Sequence, residues 1–201
     1  MTHSTTTATG SRPARLQLYD ATAEAASGVV IDRYSTSFGL ASRMLARDTR
    51  EHIRNVYALV RVADEVVDGP ATEAGLDREL ARTVLDELEA DTERAIALGF
   101  SVNPVVHAFA RTARATGFGA ELTAPFFASM RMDLDRTEHD DASFDAYVYG
   151  SAEVVGLMCL RAFVYRAGRP TFDQAELVAG ARALGAAFQK VNFLRDLHAD
   201  F

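Results

Sequence analysis

Cysteine is almost missing from this 201-residue chain: Cys159 stands alone. No internal disulfide can form, and no N-terminal charged-then-apolar leader pattern is present, so the cytoplasm is the predicted compartment. Positive charge is also in short supply. Against 28 acidic side chains stand 21 basic ones, a net charge of −7 with a pI near 5.2. That balance lacks the basic surface on which duplex or RNA binding depends, and no nucleic-acid partner is expected. Lysine is scarcer still, since Lys190 is the one lysine among those 21; arginine in an alanine-rich sequence reads as nucleotide-composition bias rather than phosphate recognition. Long apolar runs are absent too. Nothing approaches the roughly 18 residues of a membrane-spanning helix; the best stretch, 154–165, is broken by Arg161, and no bilayer crossing is predicted.

What is present is ordinary globular composition, 48% apolar and 24% charged, at a length that buries one full core. Residues 1–15 are rich in Thr, Ser and Ala and lack acids, which predicts a disordered tail before a single domain over 16–201. From Leu16 onward apolar residues recur at spacings of three and four, and strand-like alternation is missing, so the fold class is all-α. Helices are predicted over 16–32, 36–45, 49–68, 73–98, 102–116, 119–134, 143–167 and 172–200, with breaks at Asp68-Gly69-Pro70, at Gly99 and Pro104, and at Gly168-Arg169-Pro170. Leu76, Leu80, Val84 and Leu88 repeat every four residues and are expected to form a packing wall. No repeat of 20 to 50 residues occurs, which argues against a solenoid.

Two stripes carry chemistry. Tyr57, Arg61, Asp64 and Asp68 follow at spacings of 4, 3 and 4, which stacks them on one helical face beside Val56, Val60, Ala63 and Val67. Taken alone, this could be a solvated Arg/Asp pair on an amphipathic helix. The last predicted helix repeats the pattern with Gln189, Asn192, Asp196 and Asp200 among Phe188, Val191, Phe193, Leu194 and Leu197. Two pairs of like charge cannot face each other across an apolar space without a counter-charge. Divalent cations supply it. An all-oxygen donor set suits Mg²⁺, with Mn²⁺ as a substitute, completed by water and a substrate phosphate. A di-iron bundle would want Glu-x-x-His, which does not occur here, and one cysteine with five scattered histidines gives no zinc cluster. Metal ions bridging two acidic faces imply an anionic substrate, a diphosphate above all.

Four segments, YSTSFGLASRML at 34–45, VYALVRVADEVVDG at 56–69, YVYGSAEVVGLM at 147–158 and LGAAFQKVNFLRDLHADF at 184–201, resemble the squalene and phytoene synthase family, the head-to-head branch of trans-isoprenyl diphosphate synthases. Order and separation match as well as letters. MRMDLD at 130–135 resembles the phytoene synthase side more than the squalene side. The resemblance implies an isoprenoid-synthase-type helical bundle around a central apolar cavity, and a prenyl synthase catalytic domain that continues in the family beyond Phe201 with an Arg-x-Tyr/Phe-x-Pro segment and further helices.

Carried over position by position, the resemblance makes Asp64 and Asp68 the first aspartate motif, and Asn192, Asp196 and Asp200 the second, as Mg²⁺ ligands. Ser35, Ser37, Phe38, Tyr57, Arg61, Tyr149, Gln189, Asn192 and Arg195 match diphosphate-binding and cavity-lining positions, with Tyr57, Arg61, Tyr149 and Arg195 as the implied catalytic group. The implied activity is Mg²⁺-dependent condensation of two geranylgeranyl diphosphates, through a cyclopropylcarbinyl diphosphate, to phytoene with release of diphosphate, a step of carotenoid biosynthesis. Squalene or dehydrosqualene synthesis from farnesyl diphosphate is the second reading, and a non-catalytic relative acting as an assembly partner the third. Dry aromatic walls suit carbocation intermediates through cation–π attraction worth roughly 2 kcal/mol; Phe38, Tyr57, Tyr149, Phe188 and Phe193 are candidates. An insoluble hydrocarbon product implies peripheral contact with a membrane surface; the sequence carries no signal for oligomeric state.

Other residues are read more plainly. Glu65, roughly 100° from Asp64 around its helix, is expected to support that motif or face solvent. Asp133 and Asp135 could form a third acidic site, but a spacing of two puts them on different helical faces, and a capping or loop role is expected. Gly150, Ser151, Ala152 and Gly156 suit close helix packing or room for a prenyl tail. His52, His107, His139 and His198 show no partner pattern, and Cys159 is expected to be an inert core thiol. Glu153 stands where the family signature usually has a small residue, and Tyr34 where some members have His.

Overall fold

The computed structural model describes the backbone of residues 13–135, 140–165 and 173–199, and their side chains apart from 36–37 and 192–199. Every regular element among them is helical: α1 (Ala14–Tyr34), α2 (Thr36–Ser42), α3 (Arg47–Val67), α4 (Pro70–Glu73), α5 (Arg78–Leu98), α6 (Pro104–Thr116), α7 (Ala120–Asp135), α8 (Asp141–Val148), a π-helical turn (Tyr149–Glu153), α9 (Val154–Val164) and α10 (Gln174–Ala199). The all-α class predicted from spacing is what the chain adopts. Helix α1 begins at Ala14, inside the stretch expected to be a tail; residues 1–12 lie outside the described residues.

Asx side chains start these helices by accepting from backbone N–H groups that the first turn leaves unpaired. Asp77 accepts from Glu79 and Leu80 to open α5, Asn103 from Val105 and Val106 to open α6, and Asp140 from Ser143 to open α8. The Asp77 cap explains one departure. The predicted helix over 73–98 is divided into α4 and α5, because Gly75 turns at φ 90° and Asp77 begins a new helix.

A second departure concerns the packing wall. Leu80 is 54% exposed and Val84 37%, whereas Ala81, Leu85, Thr92 and Ala95 are buried. A step of four residues overshoots a 3.6-residue turn by about 40°, so a strict four-residue row drifts away from any flat interface. The true contact row mixes steps of three, four and seven.

Helix α3 lies at the centre, packed on α1, α6, α7 and α9. The core it shares with them includes Val56, Leu59, Leu85, Phe109, Phe126, Phe127, Val154 and Met158. Small residues let backbones approach closely further along the chain. A Cβ on Gly150 would collide with the carbonyl of Pro125 in α7; one on Gly156 would lie 2.7 Å from the Ala181 carbonyl oxygen, and one on Gly185 2.5 Å from that of Ala152. Of the two uses the sequence suggests for this small-residue run, close helix packing is the one seen. Asp141–Val164 forms one continuous helical run of 24 residues, long and apolar enough by length and composition to cross a membrane. The sequence reading missed it because it counted unbroken apolar residues. Its buried side, with Tyr147, Val148, Ala152, Val154, Met158 and Ala162, belongs to the bundle.

Polar contacts fix α1 against α6 and the α2–α3 connection against α3. Fully buried His107 places Nε2 2.8 Å from Asp20 Oδ1, and its Nδ1 accepts from the Ser101 backbone N–H at 3.3 Å. Nδ1 is therefore the unprotonated nitrogen and Nε2–H donates to Asp20. This partner of His107 had no pattern in the sequence, because the two residues are 87 positions apart. The Arg50 guanidinium of α3 donates to the carbonyls of Ser42, Arg43 and Leu45, which ties the α2–α3 connection onto α3.

Candidate functional site

Ser35 sits between α1 and α2 in extended backbone, and its Oγ caps α2 by accepting from the Phe38 N–H at 3.2 Å. The same side chain hydrogen-bonds Tyr57 of α3, whose phenol burial pushes above its ordinary pKa. The Phe38 ring stacks on Tyr57 with centroids 5.4 Å apart and planes 23° from parallel. One turn further along α3, Arg61 lies over the Tyr34 ring at 4.5 Å and pairs with Glu65. The expected group Ser35, Phe38, Tyr57 and Arg61 is thus brought together. Glu65 supports the site by holding Arg61, and Tyr34, the departure from the family pattern, forms the floor beneath that guanidinium. Arg61 Nε is buried and has no hydrogen-bond partner among the described residues. A buried, unanswered N–H on a guanidinium fits an anion.

The next turn carries the acids. Burial pushes the Asp64 carboxyl up to about 7; nearby Arg61 opposes this, while Asp133, Asp68 and Glu65 add to it. Asp68 follows at the C-terminus of α3, where Gly69 at φ 100° ends the helix and leaves the carboxylate exposed at its tip. Asp133 comes from the last turn of α7; burial raises its carboxyl to about 6, opposed by the hydrogen bond from Tyr147 Oη at 3.3 Å and reinforced by Asp68. The Tyr147 phenol is pushed well above its usual range by burial and by Asp133.

Asp133 is therefore no cap or loop residue. It faces the first aspartate motif, while Asp135 points to the other side and pairs with Arg82, as their spacing of two requires. The signal that could have found Asp133 was its place inside the MRMDLD match; the helical contact between α3 and α7 was not visible in the sequence.

Asp64, Asp68 and Asp133 thus lie within electrostatic reach of one another near the junction of α3 and α7, with Arg61 close to Asp64, and burial drives Asp64 and Asp133 toward protonation. This is the electrostatic condition that a divalent cation relieves. Among the described residues no group of three His, Cys, Asp or Glu is close enough to hold a metal ion by itself. Asn192, Arg195 and Asp196 belong to α10, but their side chains, like that of Ser37, lie outside the described residues, as does Asp200.

Tyr149 opens the π-helical turn and packs half-buried against the core. The Arg182 guanidinium of α10 lies over its ring at 5.3 Å, and Arg182 Nε donates to Glu153 Oε2 at 2.6 Å. Gln189 is half-buried two turns further along α10, and Phe188 is 65% exposed. A cleft of about 180 Å³ beside the site is lined by Asp32, Ser35, Gly39, Leu40 and Arg43. Another of about 200 Å³ lies between α7, α9 and α10, with Leu122, Leu157, Leu160 and Val164 in its walls. Cys159 matches the reading of an inert thiol, since burial pushes it up to about 12.

Known proteins match the chain in sequence and in fold. The family model for squalene/phytoene synthase matches residues 31–201. A phytoene synthase of Mycobacterium tuberculosis is 32% identical over 163 residues, covering 79% of this chain and 48% of the relative. A 15-cis-phytoene synthase of a Paracoccus species is 32% identical over 177 residues, 85% of this chain and 54% of that one. A presqualene diphosphate synthase of Rhodopseudomonas palustris is 29% identical over 167 residues, 82% and 55% respectively. A crystal structure of a dehydrosqualene synthase in complex with ligand superposes with a TM-score of 0.64 at 25% identity, covering 90% of this chain and 58% of that chain. The chain spans about half the length of the curated relatives it matches. With nearly all of its helical body matched in sequence and in fold, the chain belongs to the squalene/phytoene synthase family.

Proposed function

We propose that this chain is the catalytic part of a phytoene synthase, joining two geranylgeranyl diphosphates head to head in a Mg²⁺-dependent reaction and releasing diphosphate. The observation that carries the reading is the mutual electrostatic influence of Asp64, Asp68 and Asp133, two of them buried enough to be raised, with Asp64 on the helix that also carries the buried, unanswered Nε of Arg61. Acids short of positive charge and a guanidinium that keeps one N–H unanswered beyond its pairing with Glu65 suit the two parts of a metal-diphosphate site. The two phytoene synthases at 32% identity support the choice of substrate.

Asp64 and Asp68 would hold the ions on one side, with Asp133 behind them and Asn192, Asp196 and Asp200 of the last segment as the opposite set. When bound, Mg²⁺ neutralises the leaving diphosphate and assists its departure. The chain's own residues do the rest. Arg61, held in place by Glu65 and Tyr34, donates to the diphosphate oxygens, with Ser35 and Arg195 as further donors. Tyr57, buttressed by Phe38 and hydrogen-bonded to Ser35, presents a ring and a hydroxyl at the ionising carbon, and Tyr149 presents another ring from the π-helical turn. Apolar side chains around them keep water from an allylic cation that it would quench.

A reading in which two farnesyl diphosphates are joined to a C30 product is favoured by the presqualene diphosphate synthase among the relatives and by the dehydrosqualene synthase fold match. Incubation with each prenyl diphosphate, with and without Mg²⁺ and NADPH, separates the readings. A C40 hydrocarbon formed without NADPH is the expected result. A C30 product from farnesyl diphosphate would establish the second reading, and no turnover of any prenyl diphosphate would leave a non-catalytic assembly protein. Release of an insoluble hydrocarbon also calls for contact with a lipid surface, which co-sedimentation with liposomes measures.

A further inference from the structure

Glu153 occupies a position where the family signature has a small residue, and the structure shows what fills that role here. Its carboxylate, 17% exposed, takes a 2.6 Å hydrogen bond from Arg182 Nε on α10, and the Arg182 guanidinium in turn covers the Tyr149 ring at 5.3 Å. All three residues lie where backbones nearly touch: a Cβ on Gly185 would lie 3.1 Å from the Glu153 Cα. That closeness fixes the reach of both charged side chains. Tyr149 is the first residue of a π-helical turn, a segment where one surplus residue per turn re-aims side chains and the helix ladder alone defines their direction poorly. Its ring is bounded by the core on one side and by Arg182 on the other. Arg182 also stands seven residues before Gln189, so its Cβ shares that residue's side of α10.

We infer that Glu153 and Arg182 are a positioning pair that holds the Tyr149 ring against helix α10. Glu153 acts on Tyr149 only through Arg182: the charge-assisted hydrogen bond selects one rotamer of a long, half-exposed side chain, and that rotamer caps the ring. The inference rests on the proposed reading for its catalytic consequence, since Tyr149 faces substrate in that reading.

The test uses the full chain with 3-fluorotyrosine at residue 149 and ¹⁹F NMR. Arg182→Gln should move the resonance, Glu153→Gln should move it in the same direction, and the double variant should coincide with Arg182→Gln alone. Glu153→Asp, which keeps the carboxylate, should remain near the parent. In prenyl diphosphate turnover, Glu153→Gln and Arg182→Gln should each lower kcat about tenfold while KM changes less than about twofold, the pattern of a misplaced group rather than lost binding. An unmoved resonance in Glu153→Gln, or shifts that add in the double variant, would overturn the pair. A moved resonance with unchanged kcat would overturn its catalytic role. A parent chain that turns over no prenyl diphosphate defeats the functional reading instead, and the resonance still decides whether the pair holds the ring.

Discussion

Asp64 links stability to acidity in a direction opposite to most carboxylates. Its folded-state carboxyl titrates near 7 instead of 3.8, so the metal-free protein binds a proton there that the unfolded chain releases. The resulting stability is fully present below about pH 4 and is lost as pH rises through 7. Asp133, raised to about 6, acts in the same sense over a narrower window. In EDTA, urea unfolding should show a loss on the order of 4 kcal/mol between pH 4 and pH 7.5, most of it from Asp64. Asp64→Asn should flatten that slope and raise stability at neutral pH, yet abolish turnover. A variant that stayed active would contradict the metal assignment, and a steeper slope would contradict the burial that raises the acid.

At the scale of elements, the buried row of α5 makes a sharp contrast. Leu85→Ala empties a fully buried site and should cost about 2–5 kcal/mol, whereas Leu80→Ala, at a half-exposed position, should cost about 0.5 kcal/mol or less. Equal costs in chemical denaturation would restore the four-residue wall. Gly150→Ala sets a methyl against the Pro125 carbonyl and should destabilise by about 1–3 kcal/mol through overpacking, read as a fall in Tm. These comparisons also mark where the sequence was readable. Tyr57, Arg61 and Asp64 could be placed together because one helix and its 3.6-residue turn determine their alignment. Ser35 and Phe38 joined them because α2 is only a short connection away. Asp133, His107 and the division at Gly75 were hidden for different reasons. The first two depend on contacts between helices distant in the chain, and the last on one backbone angle and one cap that outweigh a run of good helix formers. Glu153 was visible as an oddity, but its partner was not.

For the molecule as a whole, the acids and the guanidinium predict mutual dependence between ligands. Magnesium diphosphate bound as a single unit, at about 100 times its dissociation constant, should stabilise the folded chain by about 2.7 kcal/mol, seen as a Tm increase that EDTA reverses. Either ligand alone should do much less, because each supplies the charge the other lacks. The near-contact of Pro125 and Gly150 has a mechanical side. Helix α7 carries Asp133 ten residues beyond Leu122 and one further, and the π-helical turn begins with Tyr149, so a seam without room for a methyl group welds one acid and one aromatic wall into a single stiff jaw. On the other side of the site the short helix α2 follows directly from α1 and is held to α3 by the contacts of Ser35 and Phe38 with Tyr57 and by the hydrogen bonds of Arg50.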